Sequence, residues 1–197
     1  MISRNLQIAV LLLIFAALCM GFYAVYLKHR AEELGGNEPL SEMAPPVSGR
    51  SGEADLWLAD DSDGTVRERA VQVTLPAEPA MRAQQALHTL LAGYAEKGST
   101  HPLPAGSDVR GVYLVDQTSA VVDFSRVLAE KHRSGIQAEQ LTVFSIVQTL
   151  STALPRITRV KFLVDGQERP TLAGHVDIED WIDVAAVAQA VRALDAK

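Results

Sequence analysis

The stretch VRGVYLVDQTSAVVDFS, residues 109–125, decides the fold of this chain. Valine-rich segments lie on both sides of the polar residues 116–118. β-Branched residues flanking a short polar turn are typical of a β-hairpin. We therefore expect two strands that pair with each other here.

The second of these strands ends at VVDFS, residues 121–125, where short polar residues interrupt the apolar run. We expect Asp123 and Ser125 to cap backbone amides at this break, because both side chains accept hydrogen bonds from nearby N–H groups. The catalytic alternative is a hydrolase that pairs Ser125 with His175 and Asp123. No serine lies in a G-x-S-x-G nucleophile elbow, so we interpret the protein as a non-enzyme.

Two helices are predicted around the hairpin, over residues 79–96 and 137–153. Apolar residues recur in both segments at helical spacing. They are Met81, Ala83, Leu87, Leu90, Leu91 and Tyr94 in the first segment, and Leu141, Phe144, Ile146, Val147, Leu150 and Leu154 in and just after the second.

Further segments are predicted to be strands. Residues 54–60 and 65–75 are separated by the turn sequence DDSDG, RVKFLVDG (159–166) runs into a glycine turn, and TLAGHVDI (171–178) is a short last strand. Strand pairs and single helices alternate, so we expect an α+β domain with a small mixed or antiparallel sheet packed by two helices.

Two short motifs near the end of this domain are candidate site residues. Gly166 supplies a positive φ at a tight turn, and Asp165 favours the same turn. Gly174 allows close backbone approach, while His175 and Asp177 lie on one face of a strand. A metal needs a third ligand, and no nearby His or Cys offers one, so we expect structural roles and no metal or cofactor.

The tail DWIDVAAVAQAVRALDAK, residues 180–197, is predicted to form a third helix. Its apolar stripe must be covered. The stripe consists of Val184, Val187, Val191 and Leu194. Two alternatives are open: the helix packs back on the domain, or it offers this stripe to another chain.

The N-terminal segment predicts a single membrane-spanning helix. Residues 5–27 contain no charge, and at 1.5 Å per residue about 23 helical residues cross a hydrocarbon core of about 30 Å. The run is longer than the apolar part of a cleaved signal peptide. Leu18 precedes Cys19, which does not fit a lipoprotein signal. We therefore expect an uncleaved anchor within residues 1–30.

Composition limits the remaining possibilities. Residues 31–53 are rich in Gly, Pro, Ser and Glu and predict a flexible linker. The whole chain has a net charge of −6, and its first 30 residues contain no acid. The body is therefore acidic, which argues against nucleic acid as a partner. The only cysteine of the chain, Cys19, lies in the predicted anchor. This excludes disulfides and cysteine-ligated metals from the domain. A five-residue tail before the anchor favours the domain lying outside the cytoplasm.

The residues 54–178 resemble a single GerMN domain, a module of bacterial envelope proteins. The resemblance rests on VYLVDQTSAVVDFS (112–125), LTVFSIVQTL (141–150), KFLVDGQ (161–167) and TLAGHVD (171–177). It implies a sporulation- or germination-like envelope module without agreed catalytic residues. Residues 179–197 lie outside the resemblance.

From these features we predict a membrane-anchored, extracytoplasmic module that binds envelope proteins or copies of itself. An uncovered strand is one route to such binding, and helix packing is another. The alternative is a module that binds peptidoglycan or a small ligand, with Trp57, Trp181 and Tyr113 stacking on sugars.

Overall fold

The computed structural model describes residues 50–133 and 135–195. The predicted anchor and nearly all of the predicted linker lie outside these residues. Within the described ranges, no helix combines the length and apolar character needed to cross a membrane. The described chain has α+β architecture with two sheets.

The first sheet is an antiparallel pair, β1 (Arg50–Asp60) and β2 (Thr65–Leu75). β1 begins ahead of Ala54, where the domain was expected to start. The turn between the strands closes through Gly64, whose N–H donates to the Asp60 carbonyl at 2.9 Å and whose φ is +70°. The hairpin predicted from DDSDG is confirmed.

The second sheet contains β3 (Val109–Leu114), β4 (Ser119–Phe124), β5 (Arg159–Val164) and β6 (Ile182–Asp183), in that order. β3–β4 and β5–β6 are antiparallel, whereas β4–β5 is parallel. The hairpin predicted at residues 109–125 is confirmed.

The helices are α1 (Pro79–Ala95), α2 (Arg126–Glu130), α3 (Ile136–Ala153) and α4 (Val184–Asp195). The two helices predicted over 79–96 and 137–153 are confirmed as α1 and α3. α1 contacts strands of both sheets, and α3 contacts β1, α1 and α4. One continuous core of buried apolar side chains joins the helices to both sheets.

Polar side chains on the helices explain why the prediction of a single sheet is wrong. The Trp57 N–H on the free edge of β1 donates to the Thr149 hydroxyl at 2.9 Å, and the Ala59 N–H donates to Tyr94 Oη at 2.7 Å. The Ser145 hydroxyl donates to the Trp57 carbonyl at 2.6 Å. These hydroxyls satisfy edge groups that a further strand would otherwise pair.

The segment after β5 also differs from the prediction. Residues 171–178 form no strand, only one isolated bridge between Thr171 and Asp177. The last strand, β6, lies instead within the stretch predicted as helix. α4 begins only at Val184, because the Asp183 carboxylate accepts a hydrogen bond from the Ala186 N–H at 2.8 Å, as an N-cap does.

α4 packs back on the domain, which decides between the two alternatives for its stripe. Val187 and Val191 are buried, and Val184 and Leu194 pack against the core. The helix lies against α3 and β2.

Candidate interaction site

The carboxyl ends of the parallel strands β4 and β5 bring several charged residues together. Asp123 accepts a hydrogen bond from the Gly166 N–H at 2.8 Å. The Asp165 carboxylate accepts from Arg110 Nη1 at 2.7 Å and from Arg126 Nε at 3.1 Å. The hydrogen bond from Arg110 holds the pKa of Asp165 below its usual value. These contacts tie the end of β5 to β3, β4 and α2.

The turn after β5 has the geometry of a tight hairpin. Asp165 and Gly166 have φ values of +50° and +72°, as in a type I′ turn. Val164 and Gln167 exchange backbone hydrogen bonds at 2.9 and 3.1 Å. Gly166 therefore has the positive φ that the sequence predicts.

The Ser125 side chain bonds to a distant loop and not to the helix that follows it. Its hydroxyl donates to the Gly106 carbonyl and accepts from the Asp108 N–H, both at 3.0 Å. It caps a backbone amide, as the sequence predicts, but that amide belongs to Asp108 and not to α2. Its hydrogen bonds involve neither His175 nor Asp123, so the described residues give Ser125 no base of the kind that activates a nucleophile.

A buried carboxylate organises the segment that contains Gly174 and His175. Glu139, which is 0% exposed, accepts hydrogen bonds from the N–H groups of Ala173, His175 and Val176 at 3.0, 3.1 and 3.0 Å. Its second oxygen lies 2.7 Å from His175 Nδ1. Gly174 adopts φ +118° within this loop. The three amides therefore point inward at one anion, as in an anion-binding nest.

The two residues of the hypothetical metal pair, His175 and Asp177, bond to different partners. His175 uses Nδ1 for Glu139, whereas Asp177 accepts from the Glu179 N–H at 2.8 Å. Residues 50–133 and 135–195 contain no group of three metal-ligating side chains.

Burial opposes ionisation of Glu139, but the hydrogen bonds from Val176, His175 and Ala173 outweigh burial and lower its pKa.

A second buried polar cluster lies between the β1–β2 turn and α3. His101 Nδ1 is 2.7 Å from Asp61 Oδ1, and its Nε2 is 2.7 Å from the Thr142 hydroxyl. His132 Nε2 is 2.8 Å from the same hydroxyl. Arg133 closes the cluster, with Nη2 2.5 Å from Asp61. Both imidazoles are buried. The cluster joins the β1–β2 turn, the loop after α1, the residues between α2 and α3, and α3 itself.

Acidification is expected to destabilise the domain through these histidines. Burial is the main cause that lowers the pKa of His101 and of His132 in the folded protein. The unfolded chain therefore binds protons first as the pH falls below about 7, and the free energy of unfolding decreases. Urea unfolding measured between pH 7.5 and 5 checks this, with a smaller decrease expected for His101→Gln. Stability that stays constant or rises would contradict it.

The three aromatic residues considered for sugar stacking do not form one platform. Trp57 belongs to the two-stranded sheet, and its indole N–H donates to the Thr152 hydroxyl at 3.0 Å. Trp181 precedes β6 and stacks on Arg159, whose guanidinium carbon is 4.7 Å from the ring centroid. Tyr113 lies on β3, at the opposite edge of the four-stranded sheet.

The edge of that sheet exposes apolar side chains. Tyr113, Leu114 and Val115 are 56%, 41% and 63% exposed, and we call these three residues the edge patch. β3 pairs only with β4 in the described sheet. A cleft of about 510 Å³ adjoins the patch at Leu114. Its other lining residues include Pro79, Arg82, Leu154, Pro155, Arg156 and Ile157.

Sequence reasoning missed the edge patch and Glu139, although each left a signal. Tyr113, Leu114 and Val115 are consecutive apolar residues, whereas a half-buried strand alternates apolar and polar positions. Glu139 lies on the apolar stripe of α3, four and seven residues before Val143 and Ile146. An acid at such a position requires buried partners.

Comparisons with known proteins place this geometry in context. A family model called Germane, described as "Sporulation and spore germination", matches residues 55–170. The tandem GerMN domains of the sporulation protein GerM from Bacillus subtilis are 25% identical over 68% of this chain, with a TM-score of 0.54; the chain spans 46% of that structure. No curated protein sequence matches the chain.

Two further solved structures are similar. The first GerMN domain of Bacillus subtilis GerM is 24% identical, with 68% of this chain and 98% of that domain covered and a TM-score of 0.49. A candidate lipoprotein from Clostridium perfringens is 20% identical, with 73% and 93% covered and a TM-score of 0.47.

Proposed function

Because the chain belongs to the Germane family of sporulation and spore germination proteins, we propose that its folded domain is a non-catalytic docking module of the bacterial cell envelope. The family match confirms the resemblance to GerMN domains that the sequence motifs indicate. The single observation that carries the docking role is the edge patch on β3.

The edge patch combines the two features that allow a strand to bind another chain. Along the same edge, the backbone groups of Val112 and Leu114 face away from β4, where they allow the main-chain hydrogen bonds that give affinity in β-strand addition. The exposed apolar side chains of the edge patch offer surface whose burial against a partner stabilises the complex by about 25 cal/mol for each Å² removed from water. Soluble proteins usually protect such edges with charges, prolines or a covering element. β3 has such protection only at its start, where the exposed Arg110 lies at a bulge, whereas Tyr113, Leu114 and Val115 include no charge and no proline.

The N-terminal segment supports the proposed location. Residues 5–27 are uncharged, and as a helix they form a single-pass membrane anchor. Residues 31–49 then tether the domain, which lies outside the cytoplasm. The edge patch thereby reaches partners in or near the same membrane.

The hydrogen bonding of the polar motif residues supports a role without catalysis. Ser125 bonds to Gly106 and Asp108, and His175 bonds to Glu139. A hydrolytic site needs a nucleophile within hydrogen-bond reach of a base. Each of these side chains instead connects segments of the fold.

Site-specific photocrosslinking in native membranes tests the docking role. A photoreactive amino acid replaces Tyr113 in the full-length chain, and the control places it at Gln189, which is exposed on α4. We expect reproducible protein adducts at position 113, identified by mass spectrometry as one or two envelope proteins or the chain itself, and none at position 189.

Two outcomes would contradict the proposal. Equal adducts at positions 113 and 189 would mean that the edge patch is ordinary surface. Adducts to glycan fragments without a protein would favour the alternative module that binds peptidoglycan or a small ligand.

A further inference from the structure

We propose that β3 pairs with β3 of a second copy of this chain, antiparallel and around a two-fold axis, with Tyr113 opposite Tyr113 of the second copy. This inference rests on the proposed docking function and names its partner. Such a contact is isologous, because both copies use the same surface. It would join the two four-stranded sheets into one continuous sheet.

The backbone pattern of β3 selects this register. The Val115 N–H donates to the Ser119 carbonyl at 3.0 Å, so Val115 and, by alternation, Tyr113 direct their backbone groups toward β4. Val112 and Leu114 therefore direct theirs outward. With Tyr113 on the two-fold axis, Val112 of each copy lies opposite Leu114 of the other. Both outward residues of each copy then exchange hydrogen bonds across the axis.

The side chains fit the same register. A Cβ atom on Gly111 would lie 2.6 Å from Tyr113 Oη and 2.7 Å from Cζ, so the tyrosine ring lies over Gly111. In the paired register, Val115 of the second copy lies opposite Gly111. The ring of Tyr113 occupies the space that a side chain at position 111 would take. The exposed Val115 thus packs against the exposed Tyr113 of the other copy. Aromatic and β-branched pairs of this kind stabilise sheets.

The charges at the two ends of β3 are self-complementary in this arrangement. Arg110 is 54% exposed and lies at the bulge before Gly111, while the Asp116 side chain is 46% exposed beyond the other end. When Tyr113 lies on the axis, Arg110 of each copy lies at the same end of the contact as Asp116 of the other, whose carboxylate also accepts from the Thr118 N–H of its own turn at 2.7 Å. Arg110 already binds Asp165 at 2.7 Å, so the second copy adds an acid to an existing ion-pair cluster.

The small size of the contact explains where it would form. Stable interfaces in solution bury about 1,200–2,000 Å², and one strand edge offers less. Two copies held in the same membrane by residues 5–27 have a high effective concentration, which converts weak contacts into stable ones. Pairing is therefore expected between anchored chains.

Disulfide trapping in native membranes tests the register. Cys19 is first replaced by serine in the full-length chain, and then Tyr113→Cys is compared with Val115→Cys. A directly opposite pair without hydrogen bonds has Cα atoms about 4.5 Å apart, within disulfide range. In the same register the two copies of residue 115 are about 13 Å apart. We expect at least about tenfold more covalent dimer from Tyr113→Cys under mild oxidation.

Leu114→Pro in the Tyr113→Cys chain provides a second variant. It removes an outward N–H without removing a bond to β4, as prolines on edge strands do, and the dimer yield should fall about fivefold or more. Equal dimer from both cysteine positions, or none from position 113, would overturn the inference. If the photoreactive residue at position 113 crosslinks only to other envelope proteins, self-pairing is wrong while the docking function stands. If position 113 gives no adduct in either experiment, both proposals are wrong.

Discussion

Replacing Glu139 with alanine is expected to lower the free energy of unfolding by about 3–5 kcal/mol. The substitution leaves the N–H groups of Ala173, His175 and Val176, which lie in a partly buried loop, without their acceptor. An orphaned donor that water does not reach costs about 1–3 kcal/mol. The substitution also removes the partner of the His175 ring. Guanidinium unfolding of the fragment 47–197, which contains both sheets and helices α1 to α4, measures the change.

Two further substitutions separate the role of the carboxylate from that of helix α3. Glu139→Gln keeps the volume and the one oxygen that accepts from all three amides, but it loses the negative charge and turns an N–H₂ group toward His175 Nδ1. We therefore expect about 1–2 kcal/mol of destabilisation, less than for alanine. Gln140→Ala, at the adjacent exposed position, should change stability by less than about 0.5 kcal/mol. If Glu139→Ala were as mild as Gln140→Ala, the carboxylate would not organise the loop.

The contrast between α3 and residues 171–178 shows which parts of the fold are readable from sequence. The periodicity of α3 spans eighteen residues and leaves no competing interpretation. TLAGHVDI has the composition of a strand, yet three of its amides bind Glu139, more than thirty residues earlier in sequence. A local pattern cannot reveal that a distant carboxylate will take hydrogen bonds from a segment.

The division into two sheets was unpredictable for a similar reason. Strand patterns mark β1 and β3 equally well, but they do not specify which strand edges meet. The hydroxyls of Tyr94, Ser145 and Thr149 lie on helices at ordinary-looking positions. Only the fold brings them to the edge of β1, where they replace the hydrogen bonds of a neighbouring strand.

Part of the candidate site could be predicted from the sequence. The sequence predicts the hairpin that contains Tyr113 and the positive φ of Gly166. It does not predict that β3 lies at the edge of its sheet, because strand order follows from the parallel pairing of β4 with β5. The exposure of Leu114 and Val115 follows from that edge position.

The hydroxyl of Thr142 is the second position where a single substitution should have a large effect. The neutral forms of His101 and His132 donate from Nδ1 to Asp61 and to the Arg133 carbonyl, which leaves both Nε2 atoms as acceptors. Thr142 Oγ1 lies within 2.8 Å of both and 3.0 Å from the Ala138 carbonyl. The hydroxyl has a single proton, so it can donate to only one of these three acceptors at a time.

Thr142→Val removes this donor, so neither buried imidazole Nε2 can accept a hydrogen bond from residue 142. We expect the free energy of unfolding to fall by about 2 kcal/mol at pH 7.5, measured by guanidinium unfolding of the fragment from Val47. Thr89→Val is the matched control, because Thr89 makes the same backbone hydrogen bond to residue i−4, at 2.9 Å, but touches no histidine ring. The control should change stability by less than about 0.5 kcal/mol. Equal losses in the two variants would assign the effect to the helix backbone and not to the histidine cluster.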